Sequence, residues 1–191
     1  MEYVVRKMPK ESEARVFSGK QEIAAIKKGE ELTFRLISHK QGGEWVLTNM
    51  VQGERRPFSI SVLKARNKNH EHDGNKNALE EVFVVRDHIF NHNGKFYMIA
   101  SHPSGKTWKH YVNSPIRYIS RLDDFPYDNF SKVDHDHYKL RHKIKRLRGT
   151  AVGQASGLGT EERGHRVRLD KELNDVGLFV AVISYLLYAA G

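Results

Sequence analysis

The sequence predicts a mainly β fold, an antiparallel meander closed into a sandwich or barrel, with one apolar helix at the end of the chain. From residue 2 to about residue 170, short apolar-rich runs alternate with turn signals, and helical patterns are scarce. Consecutive hairpins favour antiparallel sheets, and the alternation of strands and helices typical of a parallel sheet does not occur. In the last segment, residues 176–190, Ser184 is the one side chain that is neither apolar, aromatic nor glycine.

Length and composition limit the organisation of the protein and its partners. The 191 residues predict a single domain over residues 1–191, with enough length to bury a core. The first residues, MEYVVRKMPKESE, lack the features of a secretory signal, so we expect a cytoplasmic protein. Because there is no cysteine, disulfides, thiolate metal sites and thiol nucleophiles are excluded. The net charge of +9 favours a polyanionic partner: nucleic acid, anionic lipid headgroups or an acidic protein.

Turn signals place the hairpins in order along the chain. The first is expected around Ser18-Gly19, and the next bends near Gly53. Asn93-Gly94 is the strongest short hairpin signal, and Ser104-Gly105 predicts another hairpin turn shortly afterwards. Two polar stretches, residues 67–77 and 122–137, predict the long loops.

The stretch YKLRHKIKRLR, residues 138–148, predicts a strand with one apolar and one cationic face. Alternate residues of a strand point to opposite faces, so Tyr138, Leu140, His142 and Ile144 share the side that faces the core. A bulge or strand end is expected at Arg146, where the alternation breaks. The basic ladder, as we call the cationic side and its continuation, consists of Lys139, Arg141, Lys143, Lys145, Arg146 and Arg148.

The remainder of the chain predicts a glycine-rich strand and the terminal helix. Glycines at 149, 153, 157 and 159 suit a strand that bends tightly or approaches another element closely, and a packed helix is one candidate neighbour. As a helix, residues 176–190 would reach only about 23 Å at 1.5 Å per residue, short of a hydrocarbon core of about 30 Å. A helix that is apolar all round is typical of one enclosed by its own protein. We expect the helix at about 175–189, with the hydroxyls of Tyr185 and Tyr188 partnered or at a barrel rim.

The order of these elements resembles the tubby C-terminal-like superfamily, which includes tubby-like proteins, LURP-one-related proteins and phospholipid scramblases. The resemblance rests on the long meander and on GHRVRLDKELNDVGLFVAVISYLLYAA, where a short strand leads through an Asp-containing turn into an apolar helix. It covers most of the chain in element order, whereas similarity of sequence is confined to residues 165–190. The resemblance implies a closed antiparallel barrel of about twelve strands that encloses the C-terminal helix.

Of the two functions that this resemblance implies, headgroup binding is expected for this chain and calcium binding is not. Tubby-like proteins bind phosphoinositide headgroups through basic residues on the barrel exterior, and the basic ladder is similar to that surface in composition and exposure. Scramblases have an acidic stretch near the terminal helix that is described as binding calcium, and the run from Asp170 to Asp175 occupies a similar place. This run lacks the glycine and distal Glu of an EF-hand loop, so we expect no metal and assign Asn174 or Asp175 as the N-cap of the helix.

Several motifs fit both a functional site and a simpler structural role. Residues 100–107, ASHPSGKT, fit a loose phosphate-loop pattern, but strand formers follow where a helix is required, so a hairpin turn is the better interpretation. The histidine-rich stretches 70–73 and 134–137 would form a metal site only if both loops converged. His142 is expected as a buried neutral imidazole. No nucleophile has an assignable base, so we expect neither catalysis nor a cofactor.

The sequence therefore predicts a non-enzymatic binding or scaffold domain. Its expected partner is an anionic phospholipid headgroup or a phosphorylated ligand, bound through the basic ladder, which would place the protein in the cytoplasm or peripherally at a membrane without a transmembrane span. The alternative is a nucleic-acid-binding protein, because Trp108, Tyr111 and Tyr118 flank basic residues at 109, 117 and 121. An enzyme of unrecognised type is the third hypothesis.

Overall fold

The structure of the chain is a computed structural model. The structure describes residues 1–8, 13–30, 33–40, 42–49, 59–65, 78–86, 88–100, 116–123, 125, 149–158 and 163–189.

Twelve antiparallel strands form a closed barrel, which confirms the expected fold class. Neighbours in the ring are neighbours in the chain, and the ring closes where the first strand pairs with the last. The strands are β1 (Glu2–Lys7), β2 (Glu13–Ser18), β3 (Gln21–Lys28), β4 (Thr33–Ser38), β5 (Gly43–Asn49), β6 (Ser59–Ala65), β7 (Leu79–Arg86), β8 (Ile89–His92), β9 (Lys95–Ala100), β10 (Ile116–Leu122), β11 (Gly149–Gly157) and β12 (Gly164–Leu169).

The described hairpins follow the turn signals in the sequence. β2 and β3 are joined through Gly19, whose φ of 61° requires the left-handed conformation that glycine adopts without strain. β8 and β9 are joined through Asn93 and Gly94, with φ values of 50° and 74°, as a tight hairpin of Asn-Gly type requires. The expected turns at Gly53 and Ser104-Gly105, and the loop 67–77, lie outside the described residues.

A bulge at Gly153 explains one glycine of the β11 stretch. The pairing of β10 with β11 shifts register between Ile119 and Ser120, so β11 carries an extra residue there. A Cβ on Gly153 would lie 2.7 Å from Leu169 Cδ2 and 2.8 Å from the carbonyl oxygen of Arg168. The close neighbours of Gly153 are therefore on strands, chiefly β12, and the packed helix that the sequence offers as one candidate neighbour is wrong for this glycine.

The terminal helix α1 (Gly177–Ala189) lies inside the barrel, as expected. Its Phe179 ring lies 5.4 Å from the Trp45 ring of β5 and 5.8 Å from the Phe83 ring of β7. On the other side of the ring of strands, Tyr185 contacts His165 of β12 with ring centroids 5.9 Å apart. Seven consecutive residues, from Val180 to Leu186, are each no more than 7% exposed, so the helix is buried around its whole circumference.

The start of the helix differs from the sequence prediction. A 3₁₀ helix, Lys171–Val176, precedes α1, so Asn174 and Asp175 lie within helical structure and do not cap it. Asp170 occupies the N-cap position without a side-chain capping bond, and its carbonyl accepts from Leu173 N at 3.1 Å. Gly177 lets α1 begin against β1, because a Cβ there would lie 2.8 Å from the Tyr3 hydroxyl oxygen. Packing against β1 therefore sets the point where the 3₁₀ helix becomes α1.

The direction of α1 defines the two ends of the barrel. The helix-entry end is the end where α1 starts beside Tyr3, and the helix-exit end is the end where Tyr185 meets His165. β1 ends at Lys7 and β3 ends at Lys28 at the helix-exit end, and β12 begins there. The chain between β2 and β3, and between β4 and β5, turns at the helix-entry end.

Candidate anion-binding surface

The helix fills the space that an open barrel of this size would offer to a ligand. Inward side chains of the strands pack with Val180, Ala181, Val182 and Ile183 of α1 in one core, and each of these four is fully buried. Barrels that bind small molecules internally keep that volume free for the ligand. Binding by this protein is therefore expected on the barrel exterior or at its two ends.

The basic ladder predicted from the sequence lies outside the described residues. Its members, Lys139, Arg141, Lys143, Lys145, Arg146 and Arg148, follow β10 and precede β11 in the chain, and β10 pairs directly with β11 in the closed ring. His142 and both histidine-rich stretches also lie outside the described residues. The assignment of binding to the ladder remains a prediction.

The exterior of β12, β1, β2 and β3 carries basic residues that are bound to carboxylates. Glu2 accepts from Arg168 at 2.7 Å and lies 3.7 Å from Arg166, and these guanidinium groups lower its pKa. Arg15 lies 3.3 Å from Glu22. Further along the surface, Lys27 lies 3.2 Å from Glu13, and Arg35 of β4 is paired with Glu44. Ion pairs compensate most of this charge, which is typical of a solvated surface.

Arginines also meet on neighbouring strands of this surface. Arg6 of β1 is directly opposite Arg15 of β2, and like charges at such positions are unfavourable. The guanidinium of Arg6 lies 5.5 Å from the centre of the Phe17 ring, which provides a cation–π contact.

A shallow cleft of about 530 Å³ opens on the exterior of β1, β12, β11 and β10. Across it, Arg168, Gln154 and Tyr118 are cross-strand neighbours, so a guanidinium, an amide and a phenol form one row. Glu2 and Asp170 also line the cleft and reduce its attraction for anions. The cleft suits a small polar ligand better than a polyanion.

A cluster of charged and hydroxyl groups at the helix-entry end serves to hold the 3₁₀ helix on the barrel. Arg121 donates to Glu172 at 3.0 Å and to Asp123 at 3.1 Å, and Thr150 donates to Asp123 at 2.8 Å. Hydrogen bonds from Thr150 and Arg121 lower the pKa of Asp123, and the same carboxylates raise the pKa of Arg121. Desolvation, followed by the charge of Glu172, raises the pKa of Tyr97.

The acidic run that resembles a scramblase calcium site does not gather ligands. Glu172 is committed to Arg121, while Asn174 and Asp175 are exposed. Within the described ranges, no three His, Asp or Glu side chains form a group that could hold a metal ion.

The alternative of nucleic-acid binding depends on aromatic rings that lie beside basic residues. On β10 these residues are divided between the two faces of the strand. Tyr118 points outward into the cleft, whereas Arg121 lies at the rim against Glu172. Arg117 shares the inward face, opposite Ala155, and its charge helps lower the pKa of His165, for which desolvation is the larger cause. Trp108 and Tyr111 lie outside the described residues.

A set of basic residues that the sequence does not single out lies on strand ends towards the helix-exit end. Lys7 of β1 and Arg163, just before β12, are adjacent, since Lys7 N donates to the Arg163 carbonyl at 2.8 Å. Lys28 ends β3, two strands from β1, which is about 10 Å at normal strand spacing. Lys7, Lys28 and Arg163 are exposed, and Arg117 at the start of β10 is half-buried. We call these four residues, Lys7, Lys28, Arg117 and Arg163, the basic mouth.

Alternate residues of each strand face the barrel interior, and all four residues of the basic mouth fall on this inward-facing side. They lie where their strands reach the end of the barrel. Lys7 continues the buried series Tyr3 and Val5, and Lys28 continues Ala24 and Ile26. The mouth could be found in the sequence only by knowing which strand ends share one end of the barrel, because its residues are far apart in the chain.

Comparisons with models of protein families, with curated proteins and with solved structures gave no match. Within the described part of the chain, no helix has both the length and the apolar character needed to cross a membrane.

Proposed function

We propose that the protein is a non-enzymatic binding domain whose exterior engages phosphate-bearing anionic ligands, with the headgroups of anionic phospholipids as the preferred partner. The observation that carries the proposal is the combination of a filled interior with a net charge of +9. A barrel occupied by its own helix has to bind on its outer surface, and a basic surface attracts phosphate groups. At the helix-entry end, Glu172 and Asp123 accept from Arg121 and Thr150, so these carboxylates hold the 3₁₀ helix on the barrel.

Nucleic acid is the alternative partner, and both partners are polyanions whose binding weakens as salt rises. The experiment compares phosphatidylcholine vesicles with and without phosphatidylserine, single- and double-stranded oligonucleotides, and a soluble inositol phosphate, all at matched ionic strength. We expect sedimentation with the phosphatidylserine vesicles and weak binding to the other probes. Preferential binding to an oligonucleotide would replace the proposed function with the alternative, and tight binding of the inositol phosphate alone would identify a soluble phosphorylated ligand.

The basic ladder supplies a second test of the proposal. Reversal of Lys139, Arg141, Lys143 and Lys145 to Glu is expected to remove several kcal/mol of attraction, since each basic side chain near an anionic surface contributes about 1 kcal/mol. The fold should persist, because exposed charges usually change stability by less than about 1 kcal/mol. A folded variant that binds vesicles as the wild type does would place the binding residues elsewhere.

A further inference from the structure

The bulge in β11 shapes the floor of the exterior cleft. Val152 is a core residue, and a Cβ on Gly153 would lie 3.3 Å from Ile119 Cβ, which belongs to another core side chain. The bulge therefore places two successive residues on the inner side, so that only backbone separates Gln154 from Ala151 on the outside. Ala151 is exposed and carries no more than a methyl group. The cleft thus has an open floor, and its volume of about 530 Å³ is typical of small-molecule sites.

The polar side chains around this floor retain hydrogen-bonding groups for a ligand. Arg168 donates to Glu2 through Nε at 2.7 Å, and its two terminal nitrogens have no acceptor in the part of the chain that the structure describes. The side chains of Gln154, Tyr118 and Asp170 likewise make no hydrogen bond or ion pair with any described residue. All of these residues line the cleft, so a guanidinium, an amide, a phenol and a carboxylate are available together.

The ion pair of Arg168 differs from those of several other arginines on the barrel. Arg15, Arg35 and Arg121 each bind a carboxylate through a terminal nitrogen. Arg168 binds Glu2 through Nε, which fixes the guanidinium plane and leaves both terminal nitrogens for a ligand. Two parallel N–H groups of this kind bind two oxygens of one phosphate or carboxylate group.

We propose that the cleft binds a phosphate group that carries an ammonium group on a short spacer, as an aminoalkyl phosphate does. The terminal nitrogens of Arg168 bind the phosphate oxygens, and the Asp170 carboxylate binds the ammonium. Asp170 follows Arg168 by two residues of extended chain, about 7 Å, so the two charges of the ligand need a spacer between them. The inference rests on the proposed function for its choice of phosphate, and it adds the site and the ammonium.

The mixture of charges in the cleft favours a ligand that carries both signs. Glu2 and Asp170 repel a ligand that has only phosphate, and Arg168 repels one that has only an ammonium. The Met1 amine at the same edge is bound to the carbonyl oxygen of Leu169. An inositol phosphate or a nucleic acid offers no ammonium to Asp170. The ligand chemistry occurs both in free small molecules and in the headgroups of phosphatidylethanolamine and phosphatidylserine.

The first test uses soluble compounds in titration calorimetry. Glycerophosphoethanolamine carries both groups, glycerol phosphate lacks the ammonium, and ethanolamine lacks the phosphate. The wild type should bind the first about fivefold more tightly than either of the others, because an exposed charge pair contributes up to about fivefold in affinity. Equal affinities for the three compounds would overturn the inference.

Charge variants assign this preference to the cleft. Asp170→Asn should abolish the preference for glycerophosphoethanolamine over glycerol phosphate, and Arg168→Gln should abolish the preference over ethanolamine. The matched controls are Asp175→Asn and Arg35→Gln, the same changes at exposed residues that do not line the cleft. The controls should bind as the wild type does. Cleft variants that keep both preferences would overturn the inference.

Vesicles distinguish a lipid headgroup from a free small molecule. Phosphatidylcholine vesicles with equal fractions of phosphatidylserine or phosphatidylglycerol have similar surface charge, but only phosphatidylserine has a primary ammonium. We expect about fivefold tighter binding to phosphatidylserine, and loss of this preference in Asp170→Asn. Binding of glycerophosphoethanolamine without binding to either vesicle would support the cleft with a free ligand and refute the lipid partner of the proposed function. Equal binding to both vesicles, without binding of the soluble compounds, would overturn the inference while the proposed function stands.

A cleft-filling variant covers the case in which the charge variants do not fold. Ala151→Trp places an indole on the open floor and removes no charge, and Ala65→Trp makes the same change at an exposed residue of β6. The first variant should bind glycerophosphoethanolamine at least about tenfold more weakly, and the second should bind it as the wild type does. Circular dichroism checks that both are folded. Wild-type affinity in a folded Ala151→Trp variant would refute the site.

Discussion

Four successive helix positions test whether the barrel surrounds α1 on every side. Successive residues of an α-helix point about 100° apart, so Val180, Ala181, Val182 and Ile183 together sample the whole circumference. All four are fully buried. Val→Ala removes two carbons, about 1.6 kcal/mol of transfer free energy, and the cavity raises the loss to about 2–3 kcal/mol. Ile183→Ala should cost about 3–4 kcal/mol, and Ala181→Leu should cost about 1–3 kcal/mol by overpacking.

The assay is urea unfolding followed by circular dichroism, with Val82→Ala as the matched control. Val82 of β7 is 42% exposed, so the same chemical change should there lower the free energy of unfolding by less than about 0.5 kcal/mol. An amphipathic helix lying on the barrel surface would tolerate at least one of the four changes. If any of the four costs less than about 0.5 kcal/mol, the helix is not enclosed as described.

Three further predictions concern buried polar groups and a close packing contact. Ser184→Ala should raise the free energy of unfolding by about 1 kcal/mol, because the fully buried Ser184 Oγ has no hydrogen-bond partner. Ser120→Ala should act in the same way, for the same reason. If either variant is less stable than the wild type in a urea titration, the hydroxyl it removes makes a hydrogen bond in the folded protein. Gly153→Val should lower the thermal midpoint by several degrees, because its side chain would collide with Leu169 and the neighbouring carbonyl. For His165, burial lowers the folded-state pKa below 6.5, so the unfolded chain binds more protons and stability falls as pH drops below about that value; His165→Phe should flatten the pH dependence of the urea midpoint, and an unchanged slope would contradict the assignment.

Much of the fold follows from local signals in the sequence. Asn93-Gly94 and Ser18-Gly19 predict hairpins because few residues accept positive φ, and both turns occur as expected. The apolar run from Val180 to Leu186 predicts an enclosed helix because no face of it is compatible with water, and all seven residues are buried. Residue properties alone decide these features.

Other features depend on contacts between distant parts of the chain. The boundary at Gly177 is set by the approach of Tyr3, so the acidic residues before it cannot reveal which of them would cap the helix. The reason for Gly153 is a neighbour on β12, which only the register of β11 with β12 identifies. The adjacency of Lys7 and Arg163 depends on ring closure in the same way, because only the pairing of β1 with β12 brings these two residues together.

The pairing of β1 with β12 has a consequence for how the chain acquires its structure. Met1 N donates to the carbonyl oxygen of Leu169 at 2.9 Å, a contact between residues 168 positions apart. During synthesis β1 therefore stays unpaired on one edge until β12 has been made. Until then the growing sheet also exposes an apolar concave surface, which α1 covers only at the end. Such high contact order slows folding and exposes the nascent chain to aggregation. The protein is thus expected to reach its native state only after β12 and the helix have emerged from the ribosome, so that chaperones rather than partial folding protect the growing chain.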